Sequence, residues 1–187
     1  MKFLGKHAFA TREEGAVLGV NDMMLSRLVE RGELHRVEAG IYARELDWLT
    51  DSLKKYIVAC ARYPDAVICG ISALTYYDLT DAEERQTWIA LPAPKIIHHP
   101  RYRVIRPAGL AYSLGVTKHR FGKREVRIYD REKTVVDAFK YLTEEIAFKT
   151  LKGYLKRKDK NVAKLCDYAR QLRKPLDKAV ALLLADE

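Results

Sequence analysis

Few residues of this sequence have the types and spacing of a catalytic or metal site. Asp130, Thr134 and Asp137 recur at helical spacing, and a carboxylate at the start of a helix caps free N–H groups and suits the helix dipole. We therefore interpret these residues as a helix N-terminus rather than as catalytic groups. His98 and His99 are neighbours, so they cannot both face one metal ion from a regular element. We expect no catalytic residue, no metal site and no cofactor.

Known enzyme signatures do not match the chain. The sequence has no G-x-S-x-G, H-E-x-x-H or P-loop motif. The enzymatic alternative is a nuclease of the PD-(D/E)xK kind, which needs carboxylates and a lysine clustered around one metal ion. Pro64 and Asp65 match the start of that motif, but no D/E-x-K follows on a recognisable strand. We predict that the protein is not an enzyme.

The charge of the chain favours an anionic partner. The formal net charge is +9 at pH 7. Residues 1–50 carry 7 basic and 8 acidic side chains, whereas residues 51–187 carry 27 and 17. The basic surface is therefore expected mostly in the C-terminal part, where it could bind a polyanion.

Periodicity groups some of these cations. Alternate residues of a strand point to the same side, so cations on the predicted strands could form a common face. Five lysines recur at three- and four-residue steps, which predicts one shared helix face: Lys149, Lys152, Lys156, Lys160 and Lys164. From these patterns we predict a second basic face that includes Arg124, Arg127, Lys152 and Lys156. The alternative is an ordinary solvated face without a ligand.

The cysteines and apolar runs indicate the compartment. Cys60, Cys69 and Cys166 are widely spaced and form no C-x-x-C pair, so we interpret them as reduced core residues. The longest apolar run, residues 179–185, is far shorter than a bilayer span, and residues 1–6 lack the apolar segment of an export signal. We expect a cytoplasmic protein without a membrane partner.

Residues 11–32 predict two short helices joined by a tight turn. Thr11 and Glu14 have the spacing of a capping box, and Gly19 ends the first helix. Asn21 is a good N-cap for a second helix, which Gly32 closes. The apolar positions of this segment follow a helical period and are Leu25, Leu28 and Val29, with Val20 as a buried turn residue.

Two short strands follow the helix pair. Residues 33–37 and 41–43 alternate in polarity, and a turn at residues 38–40 joins them. A helix, a glycine turn, a helix and a hairpin are the outline of a winged helix-turn-helix. We predict such a DNA-binding domain over residues 1–48, with a linker near residues 44–50.

The remaining residues, 49–187, predict a mixed α/β domain with a helical C-terminal layer, so that the whole chain belongs to the α+β class. The pattern predicts helices at 51–63 and 71–77, strands at 86–91, 102–106 and 125–129, a loop or short helix at 110–116, and three or four helices from residue 131 onward.

Several segments resemble the AbiEi family of antitoxins and transcriptional regulators from type IV toxin–antitoxin systems. The order and spacing of the segments carry the resemblance, which runs through nearly the whole chain. The segments are Arg31-Gly32-Glu33-Leu34, Gly40-Ile41-Tyr42, Ile71-Ser72-Ala73-Leu74 with Leu79-Thr80, Trp88-Ile89-Ala90-Leu91-Pro92, residues 130–140 and residues 165–170.

The resemblance implies a function for each predicted domain. The winged helix would repress the promoter of its own operon by binding double-stranded DNA. The domain over residues 49–187 would counteract a nucleotidyltransferase-like toxin encoded alongside, without a stable complex between the two proteins. We expect antitoxin activity to reside in this second domain, and the oligomeric state stays open.

The predicted DNA-binding residues lie on the second helix and the hairpin, and they are Asn21, Met23, Ser26, Arg27, Arg31, Arg36 and Arg44. Arginine can bind a guanine edge or a phosphate; the alternative is that these arginines only solvate a small domain. Met23 and Met24 could contact a thymine methyl group or another protein, and the alternative is that one of them packs into the helix pair.

Two acidic residues depart from the family pattern. Asp22 begins the predicted recognition helix, where relatives tend to carry small or basic residues, and Glu38 lies at the wing tip, where relatives often place arginine. Phosphates and most base edges repel a carboxylate. Both residues, with Met23, suit an alternative function, in which the protein is an inhibitor or adaptor that binds another protein and keeps the winged helix only as a scaffold.

Overall fold

Helices and two separate β-sheets make up the chain, which confirms the predicted α+β class. The computed structural model describes residues 9–45, 50–94, 97–121 and 124–185. The chain divides into two compact units, and neither unit is one continuous stretch of sequence. Unit 1 comprises Met1–Ala66 and Lys118–Val126, and unit 2 comprises Val67–Thr117 and Arg127–Glu187.

Unit 1 contains a helix pair and a three-stranded antiparallel sheet. Its first elements in chain order are β1 (Phe9–Thr11), α1 (Arg12–Val17), α2 (Asp22–Glu30), β2 (His35–Glu38), β3 (Ile41–Ala43) and α3 (Asp51–Arg62). The strand order is β1-β3-β2. The small core between helices and sheet consists of Ala10, Val20, Leu25, Leu28, Leu34 and Tyr42.

The predicted helices of unit 1 are confirmed within one or two residues, and so is the predicted hairpin. The sequence did not predict β1, which pairs with β3 along Phe9↔Ala43 to Thr11↔Ile41. Helix α3 contacts β1 and β3, so unit 1 extends beyond the predicted domain boundary at residue 48. The predicted linker near residues 44–50 lies largely outside the described residues.

Unit 2 contains a sheet covered by helices. Its elements are β4 (Val67–Ile68), α4 (Gly70–Tyr76), β5 (Thr87–Ala90), β6 (Tyr102–Ile105), α5 (Leu110–Ser113), β7 (Val116–Phe121), β8 (Arg124–Tyr129), α6 (Arg131–Tyr141), α7 (Glu144–Leu155), α8 (Val162–Gln171) and α9 (Asp177–Ala185). The strand order is β6-β5-β4-β8-β7. Strands β7 and β8 each run across the boundary between the two units.

The interior of unit 2 joins α4, α6, α7, α8 and α9 in one apolar cluster. The predicted helices at 51–63 and 71–77, the three predicted strands and the helical C-terminal layer are confirmed, whereas β4 and β7 were not predicted. Of the cysteines predicted to be core residues, Cys69 is fully buried, while Cys60 and Cys166 are half-buried. Within the described part of the chain, no helix is long and apolar enough to cross a membrane.

Candidate nucleic-acid interface

The turn between α1 and α2 fixes how α2 is presented. Gly19 has φ +76°, a left-handed conformation that glycine adopts without steric cost. Val20 is buried, and its N–H donates to the Gly15 carbonyl oxygen at 2.9 Å. Asn21 then caps α2, because its Oδ1 accepts a hydrogen bond from Met24 N at 2.9 Å. This geometry confirms the predicted turn and caps.

Helix α2 has one buried and one exposed face. Leu25 and Leu28 are buried in the unit 1 core. Met23, Ser26 and Arg27 are exposed, and their three- and four-residue spacing places them together on the opposite face. The structure therefore brings together three of the predicted DNA-binding residues, whereas the Asn21 side chain is engaged as the helix cap.

The remaining predicted DNA-binding residues are exposed arginines outside that face. Arg31 is the C-cap of α2, and its guanidinium lies 4.0 Å from the Glu33 carboxylate. Arg36 lies on the edge strand β2 opposite Tyr42, and Arg44 directly follows β3. All three side chains are solvent-accessible.

A backbone hydrogen bond connects the hairpin to the first helix. The N–H of Arg12, the first residue of α1, donates to the carbonyl oxygen of Gly40 in the β2–β3 turn at 2.8 Å. Gly40 has φ +78°, which a side chain would disfavour. The hairpin turn is therefore held against the start of the helix pair.

Asp22 and Glu38, the two acidic residues at the predicted recognition helix and wing tip, are each paired with an arginine. Asp22 forms an ion pair with Arg12. Glu38 was expected at an exposed wing tip, but its side chain is only 6% exposed and lies 3.5 Å from the guanidinium of Arg62. Arg62 also donates to the Ala39 carbonyl oxygen at 2.9 Å. Neither carboxylate faces solvent without a countercharge, so their repulsion of a phosphate backbone is reduced.

The arginines of the predicted second basic face are occupied by other groups. Arg124, whose side chain is 19% exposed, donates to the Phe9 carbonyl oxygen and forms an ion pair with Glu14, all within unit 1. Arg127 is half-buried and donates to the hydroxyl of Tyr112 at 2.8 Å. Among the four predicted members, only Lys152 and Lys156 are exposed, and they lie in the last turn and at the C-cap of α7.

The prediction of one lysine stripe is wrong. Helix α7 ends at Leu155 and α8 begins at Val162, so the five lysines do not share one helix face. Lys149 pairs with Asp81, Lys160 donates to the Leu155 carbonyl oxygen, and Lys164 binds two carboxylates. The three- and four-residue spacing continues through the loop between α7 and α8, which the sequence pattern did not reveal.

Asp130 caps α6, as predicted, and belongs to a polar network. Its Oδ1 accepts from Lys133 N at 2.8 Å, and its Oδ2 lies 2.9 Å from Lys164 Nζ. Lys164 also lies 3.1 Å from Glu132, which accepts from the hydroxyl of Tyr154. Burial lowers the pKa of Lys164, but its hydrogen bonds to Asp130 and Glu132 outweigh burial and raise that pKa above 10.5.

The buried acid further along α6 is also paired. Asp137 and Lys133 form an ion pair that is nearly inaccessible to solvent, and the Lys133 ammonium lies 4.3 Å from the centroid of the Tyr129 ring. Buried charges are retained in proteins when they are paired and hydrogen-bonded. Asp130, which caps α6, and Lys133 and Asp137 within it are therefore each paired with another group of the fold. In the described parts of the chain, no group of three or more His, Cys, Asp or Glu side chains could hold a metal ion.

An open pocket of about 560 Å³ lies within unit 1. Arg62 and Arg124 line it, but so do Glu13, Glu14 and Glu125. The arginines are engaged by Glu38 and Glu14, respectively. Because acidic groups outnumber basic ones there, this pocket does not favour an anionic ligand, and the exposed face of α2 is the stronger candidate for the functional surface.

Comparison with known proteins does not assign this surface. No family model matches the chain, and no curated protein matches it. The interpretation of the α2 face and of the hairpin therefore depends on their geometry and charge.

Proposed function

We propose that the protein binds double-stranded DNA of its own promoter and represses its operon, with unit 1 acting as a winged helix-turn-helix. The observation that carries the proposal is the exposed face of α2, where Met23, Ser26 and Arg27 lie together while the neighbouring acid Asp22 is paired with Arg12. In such a domain the second helix of the pair enters the major groove.

The element order of unit 1 supports the proposal. A helix-turn-helix joins two helices by a turn of three or four residues that often contains glycine. Helices α1 and α2 are joined by residues 18–21, which include Gly19. The β2–β3 hairpin follows at once, which is the place of a wing.

Charge on this surface also favours a duplex as the partner. Arg27, Arg31, Arg36 and Arg44 are exposed. Arginine binds guanine edges bidentately in the major groove and also binds phosphates. Because Arg12 and Arg62 neutralise Asp22 and Glu38, the exposed arginines are not offset by those two acids.

We further propose that the chain is an antitoxin of the AbiEi type, which neutralises a nucleotidyltransferase-like toxin without a stable complex and without enzymatic activity. The resemblance of the sequence segments supports this second activity. In unit 2, Lys152 and Lys156 are exposed cations that could serve it. A nucleotidyltransferase-like gene beside the gene of this protein would strengthen this assignment.

Binding to promoter DNA is the decisive test. Fluorescence anisotropy would follow the full-length protein on a labelled fragment of its own upstream DNA and on a scrambled fragment of equal length, at several salt concentrations. We expect preference for the upstream fragment and affinity that falls steeply with salt, because phosphate contacts release counterions.

Substitutions locate the interface in the same assay. Arg27→Ala and Arg36→Ala should each weaken binding by about 1–3 kcal/mol where they contact a base edge. Lys55→Ala, which removes an exposed cation of α3, is the control and should change binding little. Binding left unchanged by both arginine substitutions would contradict the proposal and favour the protein-binding adaptor instead.

A further inference from the structure

We infer that the face of α2 recognises thymine methyl groups in the major groove, and that Met23 is the residue that contacts them. The inference rests on the proposed DNA binding and adds to it the chemistry of the bases read. At the first turn of α2, hydrogen bonds to the bases would then contribute less to recognition than the apolar contact of Met23.

The first observation is an exposed apolar surface around the turn between the helices. Val17, Leu18, Met23 and Met24 are 86%, 60%, 64% and 44% exposed. Large apolar side chains grouped on a surface mark an interaction site more often than isolated ones do. The alternative prediction, that one methionine packs into the helix pair, is not supported, because both side chains are exposed.

The second observation concerns the polar groups at the same end of α2. Asn21 uses its Oδ1 to cap the helix, and a bidentate pair with adenine would need that oxygen. Asp22 is paired with Arg12 and is therefore not free to accept from a cytosine amino group. Met23 is the next residue of the exposed face, and its side chain makes mainly apolar contacts, because its thioether sulfur is only a weak hydrogen-bond acceptor.

Thymine supplies the matching group. Its C5-methyl is an apolar group that faces the major groove at the edge of the base pair. Methionine is flexible and polarizable, so it can fit an irregular apolar surface such as a methyl beside a base edge. Burial of one methyl group corresponds to about three- to fivefold in affinity.

Charge around Met23 favours a duplex over an apolar protein partner. Arg27 lies one helical turn from Met23 on the same face, and Arg31 and Arg36 are exposed nearby in the sequence. Glu30 also lies on this face, but at the other end of α2, roughly 10 Å along the helix axis. An apolar centre with arginines beside it suits a base edge flanked by phosphates.

Replacing thymine by uracil tests the inference directly. Uracil keeps every hydrogen-bonding group of thymine and lacks only the methyl group. The full-length protein would be measured by anisotropy on its upstream fragment synthesised with thymidine or with deoxyuridine. We expect about three- to fivefold tighter binding to the thymidine fragment for one methyl contact, and about nine- to twenty-five-fold for two.

Variants assign the effect to Met23. Met23→Ala should bind both fragments alike, with the salt dependence of the wild-type protein, because it removes an apolar contact and no charge. Leu182→Ala, which truncates an exposed apolar residue of α9, is the matched control and should keep the wild-type ratio. Circular dichroism would establish that each variant is folded.

The outcomes separate this inference from the proposed function. Failure of the wild-type protein to prefer its upstream DNA overturns both. Specific binding with equal affinity for the two fragments overturns the methyl contact and leaves DNA binding intact. A Met23→Ala variant that still prefers thymidine also overturns the inference, because the preference would then come from DNA shape or another residue. Loss of the preference in Met23→Ala alone supports it.

Discussion

Ion pairs between single residues determine the charge of the proposed DNA interface. Asp22 begins α2, and Glu38 ends β2, so both would bring negative charge to a duplex. Arg12 and Arg62 each pair with one of them. The Arg12–Asp22 pair is exposed and contributes little to stability, about 0–1 kcal/mol. Its larger effect here is on the electrostatic potential that DNA meets.

Removal of Arg12 should therefore weaken DNA binding. In Arg12→Ala the Asp22 carboxylate loses its countercharge, and like-charge repulsion from phosphates should cost about 1 kcal/mol or more of binding free energy. Asp22→Asn introduced into Arg12→Ala should restore most of the affinity, since it removes the exposed carboxylate. Anisotropy on the upstream fragment measures both variants. No recovery in the double variant would show that Arg12 acts through its own charge.

The sequence predicted local features of this interface and missed the ion pairs. Thr11 and Asn21 were recognised as caps because a cap depends on residues at most three positions away. Arg12 and Arg62 were missed because their partners, Asp22 and Glu38, lie on other elements at least 10 positions away, and only the tertiary fold brings the partners together. Arg124 was predicted as part of a basic face for the same reason: its partners Phe9 and Glu14 are more than a hundred positions away.

At the scale of elements, Glu14 connects the start of α1 with strand β8. Its Oε2 accepts from Thr11 N at 2.8 Å, which completes the capping box, and it also accepts from Arg124. Burial acts to raise the pKa of Glu14, but the hydrogen bonds from Arg124 and Thr11 outweigh it, so that pKa lies below 4.5. The ionised form therefore stabilises the fold at pH above 4.5, and this contribution is lost as the pH falls through the lowered pKa.

Two substitutions of Glu14 separate the cap from the ion pair. Glu14→Gln keeps an acceptor for Thr11 N but removes the charge, and it should cost less than about 1 kcal/mol of unfolding free energy because the pair is partly exposed. Glu14→Ala removes both and should cost about 1–2 kcal/mol. Urea unfolding at pH 7 and pH 3.5 measures each variant.

The pH dependence provides the control. The deficit of Glu14→Gln relative to the wild-type protein should shrink at pH 3.5, because below 4.5 the carboxylate is increasingly protonated in the unfolded chain and the advantage of the lowered native pKa is progressively lost. Equal deficits for the two variants at pH 7 would contradict a separate contribution from the capping box.

Element prediction succeeded for helices with local end signals and failed for strands whose own residues show no clear alternation of polarity. The capped helices were found from their first residues. Strand β4 has two residues and β1 has three, too few to show alternation. Strand β7 carries polar residues at most positions and was missed for that reason. Strands β1 and β4 are defined by partners that lie further away in the sequence, whereas β7 pairs with β8, which follows it after two residues.

At the scale of the whole molecule, the two proposed activities lie in two units, and each unit is built from two separate stretches of the chain. A fragment of residues 51–187 would keep α3 and residues 118–126 without the rest of unit 1. Truncation therefore leaves part of unit 1 in the fragment, and point substitutions in the full-length chain are the better means of separating the proposed repression from the proposed toxin neutralisation.

Paired substitutions should separate the two activities. Reversing charge at Lys152 and Lys156 should abolish protection of growth against the co-expressed toxin while promoter binding persists. Arg27→Ala with Arg36→Ala should abolish repression of a promoter reporter while protection persists. Exposed substitutions change stability by about 0.5 kcal/mol or less, so unchanged melting curves are the control. Loss of both activities in either variant would contradict separate roles.

The division of unit 1 along the chain has a consequence for biosynthesis. Arg124 donates to the carbonyl oxygen of Phe9 and binds Glu14, yet a ribosome makes residues 67–117 between these partners. At about 5–20 residues per second, translation from Ala66 to Arg124 takes roughly 3–12 s. Throughout that interval the nascent helix pair lacks the hydrogen bonds and the ion pair that Arg124 provides. We therefore expect products of premature termination to carry a less stable first unit, so that complete polypeptides would be the main occupants of the proposed operator.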